Sequence, residues 1–223
     1  NADILGCARQ FRYSPNHNNT IDRVLSVNGI PVVSLALKNQ LTGQDYHCAI
    51  KQYKNDRSSK EFCFRPDHRL LVYFAGDLFE VWRTTQRKDG STYCMPFNQG
   101  SNGAGADGHA GNPIYNDGYA THYLWEEVLR RDSLMDILHR FVSHVREKDE
   151  DTGKFKEKLL FPRYHQYDVV RKVLADVKEN GAGKNYLIQH SAGSGKSNSI
   201  AWIAYRLASA HNANDEAIFN SVI

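Results

Sequence analysis

A run of small residues between an apolar segment and an amphipathic one constrains this chain more than any other feature. Tyr186-Leu187-Ile188-Gln189 leads into His190-Ser191-Ala192-Gly193-Ser194-Gly195-Lys196-Ser197. Ile200, Ala201, Ile203, Ala204, Leu207 and Ala208 then recur at helical spacing. The pattern predicts a strand, a glycine-rich turn and a helix in immediate succession. A backbone turned in this way aims N–H groups inward at a helix N-terminus, where partial positive charge collects, and so forms a cradle for phosphate. Gly193, Ser194 and Gly195 supply the turn, Lys196 can reach the outer phosphates of a nucleotide, and the Ser197 hydroxyl can ligate Mg2+. These are the features of a Walker A motif, with ATP and Mg2+ as the expected ligands. His190 occupies the place of the first glycine in that pattern. The competing reading is a strand-to-helix turn that binds nothing. The alignment of strand, loop, Lys-Ser and helix weighs against it.

Upstream, Phe161-Pro162-Arg163-Tyr164-His165-Gln166-Tyr167 opens a predicted helix through Val169, Val170, Val173, Leu174 and Val177. Gln166 lies about thirty residues before the phosphate loop and resembles the adenine-reading Gln of superfamily 2 helicases. A carboxamide can both donate to and accept from the edge of adenine. Alone, Gln166 would read as an exposed residue at a helix start; ahead of a phosphate loop the nucleotide reading is favoured. A complete P-loop ATPase also needs an acidic strand and a residue to orient water. After Ala210 only Ala217 to Ile223 resembles a strand, so binding without turnover is expected of this chain. Residues 159–223 are thus expected to be the start of a RecA-like P-loop motor domain.

The first part of the chain reads differently. Short strands are expected at Arg9 to Tyr13, Thr20 to Val27 and Ile30 to Leu37, the last two joined by Asn28-Gly29, a strong hairpin signal. A helix is expected from Gly43 to Arg57. Strands at Leu70 to Phe74 and Leu78 to Trp82 should pair across Ala75-Gly76-Asp77. From about 95 to 122 six glycines mix with Asn, Asp and Ser, which reads as a mobile excursion or as a lid or DNA-contacting loop. Tyr123 to Val145 has helical periodicity, and the charged run Arg146 to Lys158 reads as a solvated linker. Residues 1–145 are expected to form one α/β domain, with 146–158 linking it to the next.

Composition restricts these readings little. A hydrophobic fraction of 41% with 24% charged residues fits an ordinary soluble globular protein. A net charge of +3 neither requires nor excludes nucleic acid, because basic residues can gather on one face. No apolar run approaches a membrane span, and no signal peptide is evident. Cys7, Cys48, Cys63 and Cys94 contain no C-x-x-C pair, so buried or free thiols in a reducing cytoplasm are expected, with one disulfide left open. The opening Asn1-Ala2-Asp3 reads as a start in mid-chain.

Asp22 begins one strand of the expected hairpin and Lys38 follows its partner. A carboxylate there, with an acid two residues before a Lys, is the arrangement of PD-(D/E)XK nucleases. Spacing of i and i+2 sets acid and Lys on one face of a strand. Two carboxylates and a strand carbonyl then hold Mg2+, and the Lys assists the attacking water. Here the acid is missing, because the residue two before Lys38 is Ala36. On spacing alone a surface pair is the plainer reading.

Several stretches nevertheless closely resemble the amino-terminal nuclease domain of the type I restriction enzyme R (motor) subunit. They are Asn18 to Asp22, Asn28 to Val33, Leu37 to Asn39, Gln52 to Arg57, Tyr123 to Glu126, Phe161 to Gln166 and Gln189 to Trp202, in the family's order. The resemblance implies Glu-Leu-Lys where this chain has Ala36-Leu37-Lys38, so that Asp22 and Lys38 match and the metal-binding Glu does not. It also implies a Gln-x-x-x-Tyr motif, which Gln52 fits and Asp56, in the Tyr position, does not. A PD-(D/E)XK-like mixed sheet with flanking helices is expected, with catalytic positions Asp22, Ala36, Lys38 and Gln52 and metal positions Asp22 and Ser197. The simplest account of Ala36 is a substitution that disables cleavage and retains the fold. The implied partners are double-stranded DNA and the modification and specificity subunits, with no membrane, in a bacterial or archaeal cytoplasm. Two alternatives stand beside it: a non-catalytic DNA-binding pseudonuclease attached to an ATPase, and an unrelated P-loop enzyme such as a small-molecule kinase.

Overall fold

The computed structural model describes residues 3–65, 70–148, 153 and 155–221, without the side chains of Glu147 and Lys156. The chain divides into two compact units, Asn1–Gly103 with Gly108–Phe161, and Ala104–Asp107 with Pro162–Ile223.

The first unit is built on a mixed sheet of six strands in sequential order, β1 (Leu5–Arg12), β2 (Thr20–Val27), β3 (Ile30–Leu37), β4 (Val72–Gly76), β5 (Val81–Thr84) and β6 (Met95–Pro96). Asn28 and Gly29 both take positive φ, +51° and +82°, so the β2–β3 turn matches the twist of its strands. Every pair is antiparallel except β3 with β4. A parallel pair demands a crossover, and residues 38–71 supply it. β3 is buried from Pro31 to Ala36, as its apolar run predicts.

The crossover carries α1 (Tyr46–Lys51), capped by the Asp45 side chain, which accepts from Cys48 N–H at 3.2 Å. The expected helix from 43 to 57 is narrower than its pattern. It starts at Tyr46 and widens at Gln52 into a π-helical turn, Gln52–Asp56. Tyr53, within that turn, is fully buried. Its hydroxyl meets Ser34 Oγ at 2.6 Å and donates to the Phe74 carbonyl at 3.4 Å, tying the turn to β3 and β4.

The β4–β5 turn rests on Asp77, a carboxylate only 6% exposed. Oδ1 accepts from the N–H groups of Phe79 and Glu80 at 2.8 and 2.9 Å; Oδ2 accepts from Tyr46 N–H and the Gln40 amide, both at 3.0 Å. One side chain thus closes the turn and fixes the first residue of α1. Because that turn occupies residues 77–80, the strands expected at Leu70 to Phe74 and Leu78 to Trp82 both lie later in the chain.

The glycine-rich stretch is short of regular structure but tied down at its base. Gly100 N–H bonds the Gly111 carbonyl at 2.7 Å, and the Asn112 amide donates to the Phe79 carbonyl at 2.8 Å. The helix expected from 123 to 145 divides into a π-helical turn, Leu124–Val128, and α2 (Arg131–Arg140), which buries Leu134 and Ile137.

The expected linker 146–158 is instead largely a hairpin, with β7 (Ser143–Lys148) pairing antiparallel to β8 (Phe155–Leu160). Arg146 stands opposite Glu157 in that ladder and lies 4.2 Å from the Phe155 ring centroid. Opposite charges facing each other stabilise a two-stranded ladder. A run of alternating charges looks solvated in one dimension and pairs in two.

In the second unit α3 (Tyr164–Asn180) buries Tyr164, Gln166, Tyr167, Val170, Val173, Leu174 and Val177, and packs against α4 (Lys196–Ala208). The strand expected at Tyr186 to Gln189 is not formed. Among the described residues nothing pairs with it, and Leu187 is 94% exposed. A parallel strand depends on neighbours for its hydrogen bonds. The expected strand from Ala217 shows one bridge, His211 to Ala217, and its last two residues lie outside the described ones. Among the described residues no helix is long and apolar enough to cross a membrane.

Candidate functional site

The first candidate site lies where β2 begins and β3 ends. Arg23 pairs with Leu35, and continuing that register by one residue sets Asp22 across from Ala36. Facing positions of an antiparallel pair hold their Cβ atoms about 4.5–5.5 Å apart, close enough for two carboxylates to share a cation. Asp22 is half-buried, and its Oδ2 accepts the Leu37 N–H at 2.8 Å. Ala36 presents a methyl with no exposure, in an apolar cluster with Ala49 and Tyr53. Lys38 is half-buried just beyond the strand, and its N–H bonds the Gly76 carbonyl at 2.8 Å.

The donor set falls short of a divalent site. It offers the Asp22 carboxylate and backbone oxygen, and no cluster of three His, Cys, Asp or Glu occurs among the described residues. Mg2+ demands near-octahedral oxygen coordination and leaves its water reluctantly. As the chain stands, the residues do not fit a catalytic metal.

Gln52 opens the π-helical turn and is half-buried; Asp56, in the Tyr position of the resembled motif, is exposed. Such turns inside helices occur often at functional sites. Arg57 follows, only 5% exposed, with Nη2 donating to the Thr20 carbonyl at 3.1 Å and the Gln52 side-chain oxygen at 3.5 Å. These residues, with Tyr13, Asn18 and Asn19, line a polar pocket of about 380 Å3 two residues from Asp22.

Behind it Arg87 donates to the Tyr53 and Arg57 carbonyls, closing the C-terminal end of the turn. Its guanidinium sits 4.3 Å from the Phe64 ring centroid, and burial pulls its pKa below the usual arginine range. Burial pushes the pKa values of the Tyr53 and Tyr73 phenols upward. Sequence reasoning missed Tyr13, Arg57, Asp77 and Arg87. A lone Arg after a helix reads as surface, and nothing in its neighbours marks it as buried.

The second candidate site is the loop before α4. Gly193 and Gly195 take φ of +70° and +87°, and Ser194 closes a turn on the Ser191 carbonyl through both its N–H and Oγ. The N–H groups of Lys196 and Ser197, in the first turn of α4, have no helical carbonyl ahead of them. Lys196 is exposed and donates to the His190 carbonyl at 3.2 Å; Ser197 is exposed. A phosphate would find here a helix start, an ammonium and a hydroxyl.

Gln166 is 3% exposed and already committed. Its Oε1 accepts from Arg163 N–H at 2.8 Å, and its Nε2 donates to the Gly195 carbonyl at 2.8 Å and the Ser194 carbonyl at 3.4 Å. A Cβ on Gly195 would lie 2.5 Å from that Nε2 and would displace it, and the φ of +87° disfavours any side chain there. Contact with adenine would require these bonds to open. Gln166→Ala should therefore lower stability by about 1–3 kcal/mol, because it strands buried backbone groups. Thermal unfolding reads this, and an unchanged midpoint would show the clamp to be idle. His165 and His190 meet edge to face at 4.9 Å, and burial holds both below the ordinary histidine pKa.

Residues 2–103 match the family described as the type I restriction enzyme R protein N terminus. A curated protein of Methanocaldococcus jannaschii, named by inference as the type I restriction enzyme MjaVIIIP endonuclease subunit, is 22% identical over 222 residues. That likeness covers 97% of this chain and 20% of the relative, so the chain spans about a fifth of the relative's length.

Proposed function

We propose, from the match of residues 2–103 to the type I restriction enzyme R protein N-terminus family, that the chain is the amino-terminal part of a subunit that cuts DNA and drives itself along it with ATP. The observation that carries this reading is Asp22 facing Ala36 across the β2–β3 hairpin, with Lys38 two residues on. On this reading the hairpin has the frame of a PD-(D/E)XK site with one carboxylate missing. Cleavage is consequently silent in this chain as it stands, and no step of phosphodiester hydrolysis is assigned to it.

On this reading the unit that runs to Phe161, the β7–β8 hairpin included, is the nuclease-like domain, and the motor domain begins at Pro162. Gly193, Ser194, Gly195 and Lys196 would hold the phosphates of ATP, Ser197 would ligate its Mg2+, and Gln166 would set the loop and, once released, face the base. The fit rests on the positive φ values of the two glycines and on the open first turn of α4. Bound there, Mg-ATP supplies the free energy of phosphoryl transfer; this chain's own residues bind and orient it. The partners are duplex DNA and the modification and specificity subunits, assembled in the cytoplasm of a bacterium or archaeon.

A second reading, a pseudonuclease that holds DNA without cutting, is favoured by one observation, the fully buried methyl of Ala36. Both readings share the motor. In the full-length subunit assembled with its modification and specificity partners, duplex DNA carrying the recognition site should stimulate ATP hydrolysis. Hydrolysis that ignores DNA would point to the unrelated P-loop enzyme instead.

A further inference from the structure

The pocket beside the β2–β3 hairpin contains two donors without acceptors. Tyr13 is 5% exposed, and among the described residues its hydroxyl has no hydrogen-bond partner. Arg57 is equally buried, and its Nη1 likewise has none. Both residues line the same pocket, with Asn18, Asn19 and Gln52 adding amides around it. Buried polar groups are satisfied almost without exception in folded proteins, so two orphans on residues that line one pocket call for an acceptor.

The donor chemistry selects an anion. A guanidinium, a phenol and carboxamides are the groups that grip phosphate oxygens on a nucleic-acid backbone. Arg57 is oriented for this, because its Nη2 is anchored on the Thr20 carbonyl, two residues before Asp22. The loop bearing Tyr13 and Asn18 is held as firmly. Arg12 reaches back to the carbonyls of Ser14, Pro15 and His17 at 3.0–3.1 Å. Asp56 is the single acidic residue in the lining and stands exposed. It opposes an anion and tempers the pocket's affinity.

We propose that this pocket receives a backbone phosphate of duplex DNA, with Arg57 and Tyr13 as its donors, flanking the Asp22 position. The inference rests on the DNA reading above and adds to it the residues that seat the strand. These residues position DNA; they are not assigned to bond breaking.

The test is the binding of a fluorescently labelled duplex by the full-length protein, measured by anisotropy across a series of salt concentrations. Tyr13→Phe deletes one hydroxyl that has no partner to lose, so the fold is retained and a thermal melt verifies it. It should weaken binding by about three- to tenfold. Arg57→Gln should weaken it further and reduce the slope of log affinity against log salt by about one. Asp56→Asn should tighten binding. If wild type binds duplex with a normal salt dependence and both weakening variants match it, the pocket is not a phosphate site, while the DNA reading stands. If wild type shows no salt-dependent duplex binding, the DNA reading fails and the inference with it.

Discussion

Replacing Lys196 with alanine in the full-length, assembled protein should lower the rate of DNA-stimulated ATP hydrolysis by about a hundredfold or more. Removing one preorganised charge from a site that stabilises developing negative charge has effects of about 10² to 10³. ATP affinity should fall less, by about ten- to a hundredfold, which is the scale of one charge-assisted hydrogen bond. The fold should not change. Lys196 is exposed, and among the described residues its ammonium bonds the His190 carbonyl at 3.2 Å, so stability should stay within about 0.5 kcal/mol. Thermal unfolding, nucleotide titration and hydrolysis rate together separate this from misfolding. Undiminished hydrolysis would remove the loop from the ATP chemistry.

The second large effect concerns Ala36→Glu. Without divalent cation the substitution should destabilise the chain by about 2–4 kcal/mol. It forces a longer side chain into a fully buried position beside Ala49 and Tyr53 and sets a second carboxylate across from Asp22. Mg2+ should then return part of that loss, because two facing carboxylates and the Leu37 carbonyl would make a donor set the present chain lacks. A ligand at a hundred times its dissociation constant stabilises by about 2.7 kcal/mol. The unfolding midpoint of the variant should therefore rise with Mg2+, and that of the Ala36 chain should barely respond. Equal responses would place the cation elsewhere.

How far the sequence could be read depends on whether each signal was local. Asn28-Gly29 requires two positive φ values in succession, and the pair delivers a tight turn; the register that brings Asp22 across from Ala36 comes from a one-residue shift between Leu25 and Ser26, which no local residue pattern announces. The burial of β3 was legible, since its apolar run is continuous. The hairpin at β7 and β8 was not, because its pairing appears only when Arg146 and Glu157 are brought opposite each other. The strand expected at Tyr186 to Gln189 fails for the complementary reason. Its apolar residues signal a buried strand, but no partner strand stands beside it among the described residues. In the candidate site, Asp22, Lys38 and Gln52 could be named from spacing and resemblance. Tyr13 and Arg57 could not, since their meaning lies in a pocket formed by segments some forty residues apart.

The most direct measurement is plasmid nicking by the full-length protein in its complete assembly with ATP and Mg2+, comparing the Ala36 chain with Ala36→Glu. The expected result is nicking by the Glu variant that depends on divalent cation, and none by the Ala36 chain. No nicking by a folded Glu variant, or equal nicking by both, would contradict the assignment of the Asp22–Lys38 hairpin as a nuclease site disabled at Ala36.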